Sequence, residues 1–149
     1  MALSRREVRF RFPLTLHTND LKRRKNMDKT WKIVVAEAGK KAEVREVPAN
    51  YEALRKLVGG PIEVTSPLSN DTAVICNEVG KLIGLPMNRL LRDPDGNAAD
   101  VYCGTIVCIG ARPEDEDFSS LTDIEAAIYL MLYNDPEFSA SKGDGKNGR

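Results

Sequence analysis

Thr72–Asp93 reads TAVICNEVGKLIGLPMNRLLRD. Its first five residues, Thr72 to Cys76, are apolar nearly throughout, as in a strand covered on both faces. Asn77-Glu78-Val79-Gly80-Lys81 is a turn. Pro86 then suits the first position of a helix, because its missing N–H would have no helical partner there anyway; a short helix through Leu91 is expected. Asp93-Pro94-Asp95-Gly96-Asn97 is turn chemistry again. Beyond it, Val101 to Ile109 (VYCGTIVCI) reads as a second central strand, with Gly104 marking a bulge or a close backbone approach.

The flanks extend this sheet. Trp31 to Glu37 (WKIVVAE) is β-branched, short and free of breakers, hence a buried strand. Ala38-Gly39-Lys40 turns the chain, and Ala42 to Val47 returns as a hairpin partner. Asn50 can accept a first-turn N–H and cap a helix with Tyr51, Leu54, Leu57 and Val58 on its apolar face. Gly59-Gly60-Pro61 stops that helix. Ile62 and Val64 alternate with Glu63 and Thr65, as in a half-exposed strand. Thr122-Asp123-Ile124-Glu125 is a capping box. The helix it opens places Ile124, Ala127, Ile128, Met131 and Leu132 on one face. Strands dominate, two helices are substantial, and no βαβ alternation occurs. The expected fold is α+β, a small mainly antiparallel sheet packed with two main helices, in a single domain spanning 27–138.

Charge divides the chain. Residues 1–26 hold eight Lys/Arg and two acids, net +6, while residues 27–149 hold 14 basic and 20 acidic residues, net −6. The run Lys22-Arg23-Arg24-Lys25-Asn26-Met27 back-translates into a purine tract that can spell AGGAGG just before ATG, a bacterial ribosome-binding site. The leader is therefore read as a mis-assigned start, with Met27 the true one, or as a disordered segment. An organelle transit peptide and a nucleic-acid-binding arm are the rival readings. From Ser139 on, SASKGDGKNGR has the composition of a disordered tail.

No apolar stretch is long enough to span a bilayer. The cysteines Cys76, Cys103 and Cys108 are three in number, lie in apolar runs and lack CxxC spacing. They read as buried free thiols of a cytoplasmic protein rather than a disulfide frame or zinc site. The single histidine, His17, belongs to the leader. Without it the domain has no Ser-His or Cys-His pair, and it lacks the usual general base and the commonest metal ligand. A net −6 domain with no basic stripe is a poor nucleic-acid binder.

Three stretches taken in order carry a resemblance: IVVAEAGKKAEVREV with the helix after it, ICNEVGKLIGLPMNRLLRD, and GTIVCIG followed by DFSSLTD. Over about Lys32 to Leu132 the chain resembles a bacterial and phage family known as domain of unknown function 3846. The resemblance implies a setting, a cytoplasmic accessory protein of a phage or conjugative element. Such accessories often act in counter-defence. It implies no catalytic residue.

The candidate ligand-binding residues are Lys81, Asn88, Arg89, Gly104 and Thr105. Arg89 can fork onto a phosphate or carboxylate, Asn88 can read an amide edge, and Lys81 adds charge. Gly104-Thr105 can let a ligand approach the backbone. Each has a structural counterpart: Asn88 and Arg89 bonded to backbone or to acids such as Asp93, Gly104 in a bulge. GTIVCIG is not a phosphate loop, because it lacks the Gly-Lys-Ser/Thr ending. The acidic run Glu114 to Asp117 reads as a solvated loop. No catalytic residue, metal or cofactor is expected. The sequence points to a non-enzymatic module that binds a protein partner or a small anionic ligand, with a homo-oligomer left open. The alternative is an enzyme of unfamiliar type with a pocket around Asn88 and Arg89.

Overall fold

The computed structural model describes residues 29–138; the leader and tail readings lie outside them. Along the chain run β1 (Thr30–Ala36), β2 (Glu43–Pro48), α1 (Tyr51–Val58), β3 (Ile62–Thr65), β4 (Thr72–Asn77), β5 (Met87–Arg92), β6 (Ala98–Cys103), β7 (Ile106–Gly110) and α2 (Asp123–Tyr133). Five strands form one sheet in the order β2-β1-β7-β4-β3, every pairing antiparallel, and β5 and β6 form a separate two-stranded ribbon. The fold is α+β.

Alternation along the central strands divides the core in two. Ile33, Val35, Ala73, Ile75, Val107 and Ile109 face α1, meeting Leu54 and Val58. Their neighbours Val34, Ala36, Val74, Cys76, Ile106 and Cys108 face the other way, against Tyr102 of β6 and Ala126, Tyr129 and Tyr133 of α2. Both faces of the inner strands are covered, which is why those strands carry no polar alternation. The three cysteines are buried and free.

The helix ends follow their sequence signals. Asn50 Oδ1 accepts the Ala53 N–H at 2.8 Å, and Gly59 closes α1 in the left-handed region at φ 82°. Thr122 and Glu125 form the reciprocal capping box at the start of α2.

Three expectations are corrected. The short helix from Pro86 to Leu91 is instead the strand β5. Its backbone groups pair with β6, and the Asp93–Asn97 turn closes the hairpin through Asp93 N–H to Asn97 O at 2.9 Å, with Asp93 Oδ1 accepting from Asp95 and Asn97. A turn of that chemistry between two apolar segments is a hairpin signal, and it outweighs a lone Pro at a helix start. Val101 to Ile109 is not one strand: at Gly104, φ 88°, the chain leaves the ribbon as β6 and re-enters the sheet as β7. Finally, α2 buries Ala126, Tyr129 and Tyr133, while Ile124, Ala127, Ile128, Met131 and Leu132 face outward.

Candidate functional site

A strand normally alternates its side chains, yet Asn88 and Arg89 are adjacent and both wholly buried. A bulge explains this. Met87 pairs with Cys103 and Arg89 with Tyr102, so Asn88 is an extra residue in β5 and its side chain turns inward beside that of Arg89. Asn88 Nδ2 donates to Ala36 O and to Gly104 O, each at 2.8 Å. Its Oδ1 accepts from Arg89 Nη1 at 2.6 Å. Arg89 Nε and Nη2 donate to Tyr133 O at 3.1 and 2.8 Å, and Nη2 also donates to Lys40 O at 2.6 Å. The guanidinium thus caps the C-terminal end of α2, where the helix dipole is negative. Burial pulls its pKa below the ordinary value, opposed by the acids Glu137 and Asp135 nearby. The same cluster takes in Gly104, whose N–H donates to Pro86 O at 2.8 Å. These residues spend their hydrogen bonds fastening β5, β1, the β1–β2 turn and α2 together.

Lys81 stands elsewhere. It lines a cleft of about 330 Å³ between β3–β4, the loop after β4 and the β5–β6 ribbon, together with Glu63, Thr65, Cys76, Glu78, Asp100, Tyr102 and Cys103. Asn88, Arg89, Gly104 and Thr105 are not among the residues lining it. Of the five sequence candidates, three form the buried cluster, one lines the cleft, and Thr105 sits half-buried at the β6–β7 turn.

Lys81 is ion-paired to Asp100 across the cleft. That hydrogen bond holds the Asp100 carboxyl below its ordinary value, with help from the Val101 N–H, and raises the Lys81 ammonium. Tyr102 donates to or accepts from Thr65 Oγ1 at 2.8 Å, closing the floor. Burial pushes the Cys76 thiol up to about 12 and raises Cys103 as well, with Lys81 opposing both shifts only in part. Both thiols are therefore protonated at neutral pH and poor nucleophiles. Three carboxylates against one ammonium leave the cleft net negative.

The loop carrying Lys81 exposes two large aliphatic side chains, Leu82 at 86% and Ile83 at 59%. The loop is held by Ile83 N–H to Val79 O at 3.0 Å and Leu85 N–H to Gly80 O at 2.9 Å. Leu85 anchors it, lying over Gly104 so closely that a Cβ there would sit 2.7 Å from Leu85 Cδ1. Sequence reasoning missed this rim because Leu82, Ile83 and Leu85 are equally apolar, and only the turn's geometry decides which of them points inward. It also left Tyr102 and Cys103 inside a single central strand.

Among the described residues no group of three or more Cys, His, Asp or Glu side chains could hold a metal ion, and no helix is long and apolar enough to cross a membrane. The family model for Domain of unknown function (DUF3846) matches residues 31–134. The chain belongs to this family. The matched span runs from β1 to the end of α2 and so takes in both the cleft and the Arg89 cluster. No curated protein and no solved structure matches the chain.

Proposed function

We propose that this chain is a non-enzymatic protein-binding module whose contact surface is the Leu82–Ile83 rim together with the acidic cleft beside it. The observation that carries this reading is the rim. Two aliphatic side chains stand in water on a loop whose backbone bonds and Leu85 anchor leave little to order on binding. Burying each against a partner recovers roughly 1.5–3 kcal/mol. The cleft adds a charge requirement. Glu63, Glu78 and Asp100 outnumber Lys81, so a Lys or Arg side chain of the partner fits there better than a small anion does.

Two features support a non-enzymatic role. The cleft thiols are held protonated, and the Asp100 carboxyl lies low rather than poised for proton transfer at neutral pH. The alternative, an enzyme with its pocket at Asn88 and Arg89, would have to reach two side chains that expose no surface. The setting we propose is that of a cytoplasmic accessory of a phage or conjugative element, acting in counter-defence by occupying a basic, apolar-faced surface of a host protein.

The test is affinity capture on the full chain from a bacterial lysate, identification of the captured protein, and calorimetric titration of that protein against wild type and Leu82→Asp. The expected result is a loss of at least ~30-fold in affinity in a variant with an unchanged melting curve. Equal affinity of the two proteins refutes the reading. So does native mass spectrometry that finds a small molecule retained by the purified chain in place of a protein.

A further inference from the structure

The helix α2 reads DIEAAIYLMLY, and from Ala126 to Tyr133 it contains no charged residue. A helix apolar around its whole circumference belongs in an interior. Among the described residues only one side is covered, by the sheet, through Ala126, Tyr129 and Tyr133. The other side exposes Ile124 at 73%, Ile128, Met131 at 80% and Leu132, with Ala127 among them. These side chains fall at the i, i+4, i+7, i+8 spacing of a continuous stripe. At these exposures the stripe amounts to roughly 300–600 Å², the size at which an exposed apolar patch on a soluble domain marks a contact surface.

We infer that this face is closed by a second copy of the same chain, α2 packing antiparallel on α2 across a twofold axis near Ala127 and Ile128. Three observations select a second copy. The stripe carries no charge or hydrogen-bonding group with which to specify a foreign partner, whereas an apolar stripe is complementary to itself, as an isologous contact requires. Ala127 lies in its middle, where a small side chain lets two helices approach closely. Each end of the helix also carries charged side chains. Asp123, ion-paired with Lys32 yet 95% exposed at its side chain, begins the helix. At the other end the Ala42 N–H donates to Asn134 O, which brings the β1–β2 turn and its exposed Lys41 to the helix terminus. Asp135 stands at that end too and accepts from the Asn134 amide at 3.1 Å. Lys41 makes no ion pair among the described residues. Antiparallel pairing sets Asp123 of each copy toward Lys41 of the other and opposes the helix dipoles. Two such stripes with their polar margins reach the ~1,200 Å² at which specific interfaces begin.

The test is sedimentation equilibrium of the full chain at about 100 μM, a concentration that populates a dimer of ordinary affinity. Wild type is expected at twice the 16.5 kDa chain mass. Met131→Glu, on a side chain that makes no core contact, is expected at 16.5 kDa with an unchanged circular dichroism spectrum. Asp123→Lys is expected to weaken the dimer several-fold, with Lys41→Asp in the same chain restoring it. A monomeric wild type overturns the inference; if that monomer floats with phosphatidylglycerol vesicles, the face belongs to a lipid surface instead. A dimer indifferent to Met131→Glu overturns it equally, because the contact then lies elsewhere.

Discussion

Arg89→Met removes a buried cation and keeps most of its volume. In the native protein the Arg89 guanidinium satisfies the carbonyls of Tyr133 and Lys40 and the Asn88 amide oxygen. The variant strands those acceptors, at ~1–3 kcal/mol for each one left without a partner. Water can reach Lys40 O, which is only part-buried, and the cost of holding a guanidinium out of water disappears. The balance is a loss of roughly 3–5 kcal/mol, the range for breaking a buried charged network. Against a domain stability of about 5–15 kcal/mol that is a large fraction. It lowers the melting temperature by at least ~12 °C. Arg89→Lys recovers little, since an ammonium on a thinner stem cannot bridge three acceptors in one plane. The assay is urea unfolding of wild type, Arg89→Met and Arg89→Lys, followed by fluorescence of Trp31. A loss below ~1 kcal/mol in Arg89→Met refutes the structural account. An Arg89→Met protein of full stability that no longer binds its partner would place Arg89 in the binding surface instead.

Acid titration examines the capping box. Arg112 Nη2 reaches both oxygens of Glu125, at 2.8 and 3.0 Å, and the Thr122 N–H donates to Glu125 Oε1 at 2.9 Å. Burial works against ionisation of Glu125, but Thr122 and Arg112 outweigh it and hold the carboxyl below its ordinary 4.5. A depressed carboxyl stabilises the native state above the unfolded value and loses that contribution as the pH falls through the folded one. Wild type should therefore exceed Glu125→Gln by ~1–2 kcal/mol at pH 7, with the gap closing below about 4.5. A gap that persists unchanged to pH 3 would remove the charge from the explanation. Gly104→Ala meets two penalties, a left-handed backbone at φ 88° and a Cβ 2.7 Å from Leu85 Cδ1. Together they predict a loss of roughly 2–4 kcal/mol by thermal melting. A melting point equal to that of wild type would mean that the loop is not anchored as described.

The parts of the molecule legible in the sequence are those where one residue type has one local task. Asn50, Gly59 and the Thr122–Glu125 box act within a single turn, and their spacing alone names their role. Thr72–Asn77 was legible for a different reason: a strand covered on both faces tolerates no polar side chain between its ends, and TAVIC has none inside. The Asn88–Arg89 pair resisted the same treatment. A forked cation beside an amide serves a ligand and a buried carbonyl equally well. The choice depends on a bulge that appears only when β5 is aligned with β6, and sequence periodicity carries no record of that pairing.

The face of α2 shows where amphipathic reasoning loses its hold. That reasoning works by contrast, since a polar side identifies the apolar side as the one that packs. From Ala126 to Tyr133 there is no contrast to use, and a stripe at 124, 127, 128, 131 and 132 competes with one at 126, 129 and 133. The second stripe packs on the sheet, and the tyrosines explain why. Tyr129 brings a hydroxyl that must find a partner inside, and Thr72 Oγ1 lies 2.7 Å from it at the sheet. Its ring stacks on Tyr133 with centroids 6.2 Å apart. Ile124, Ile128, Met131 and Leu132 carry no polar atom and place no such demand on the sheet. They lose nothing by packing against a surface supplied later. The side chains with the most specific requirement take the intramolecular contact, and the purely apolar ones are left facing outward.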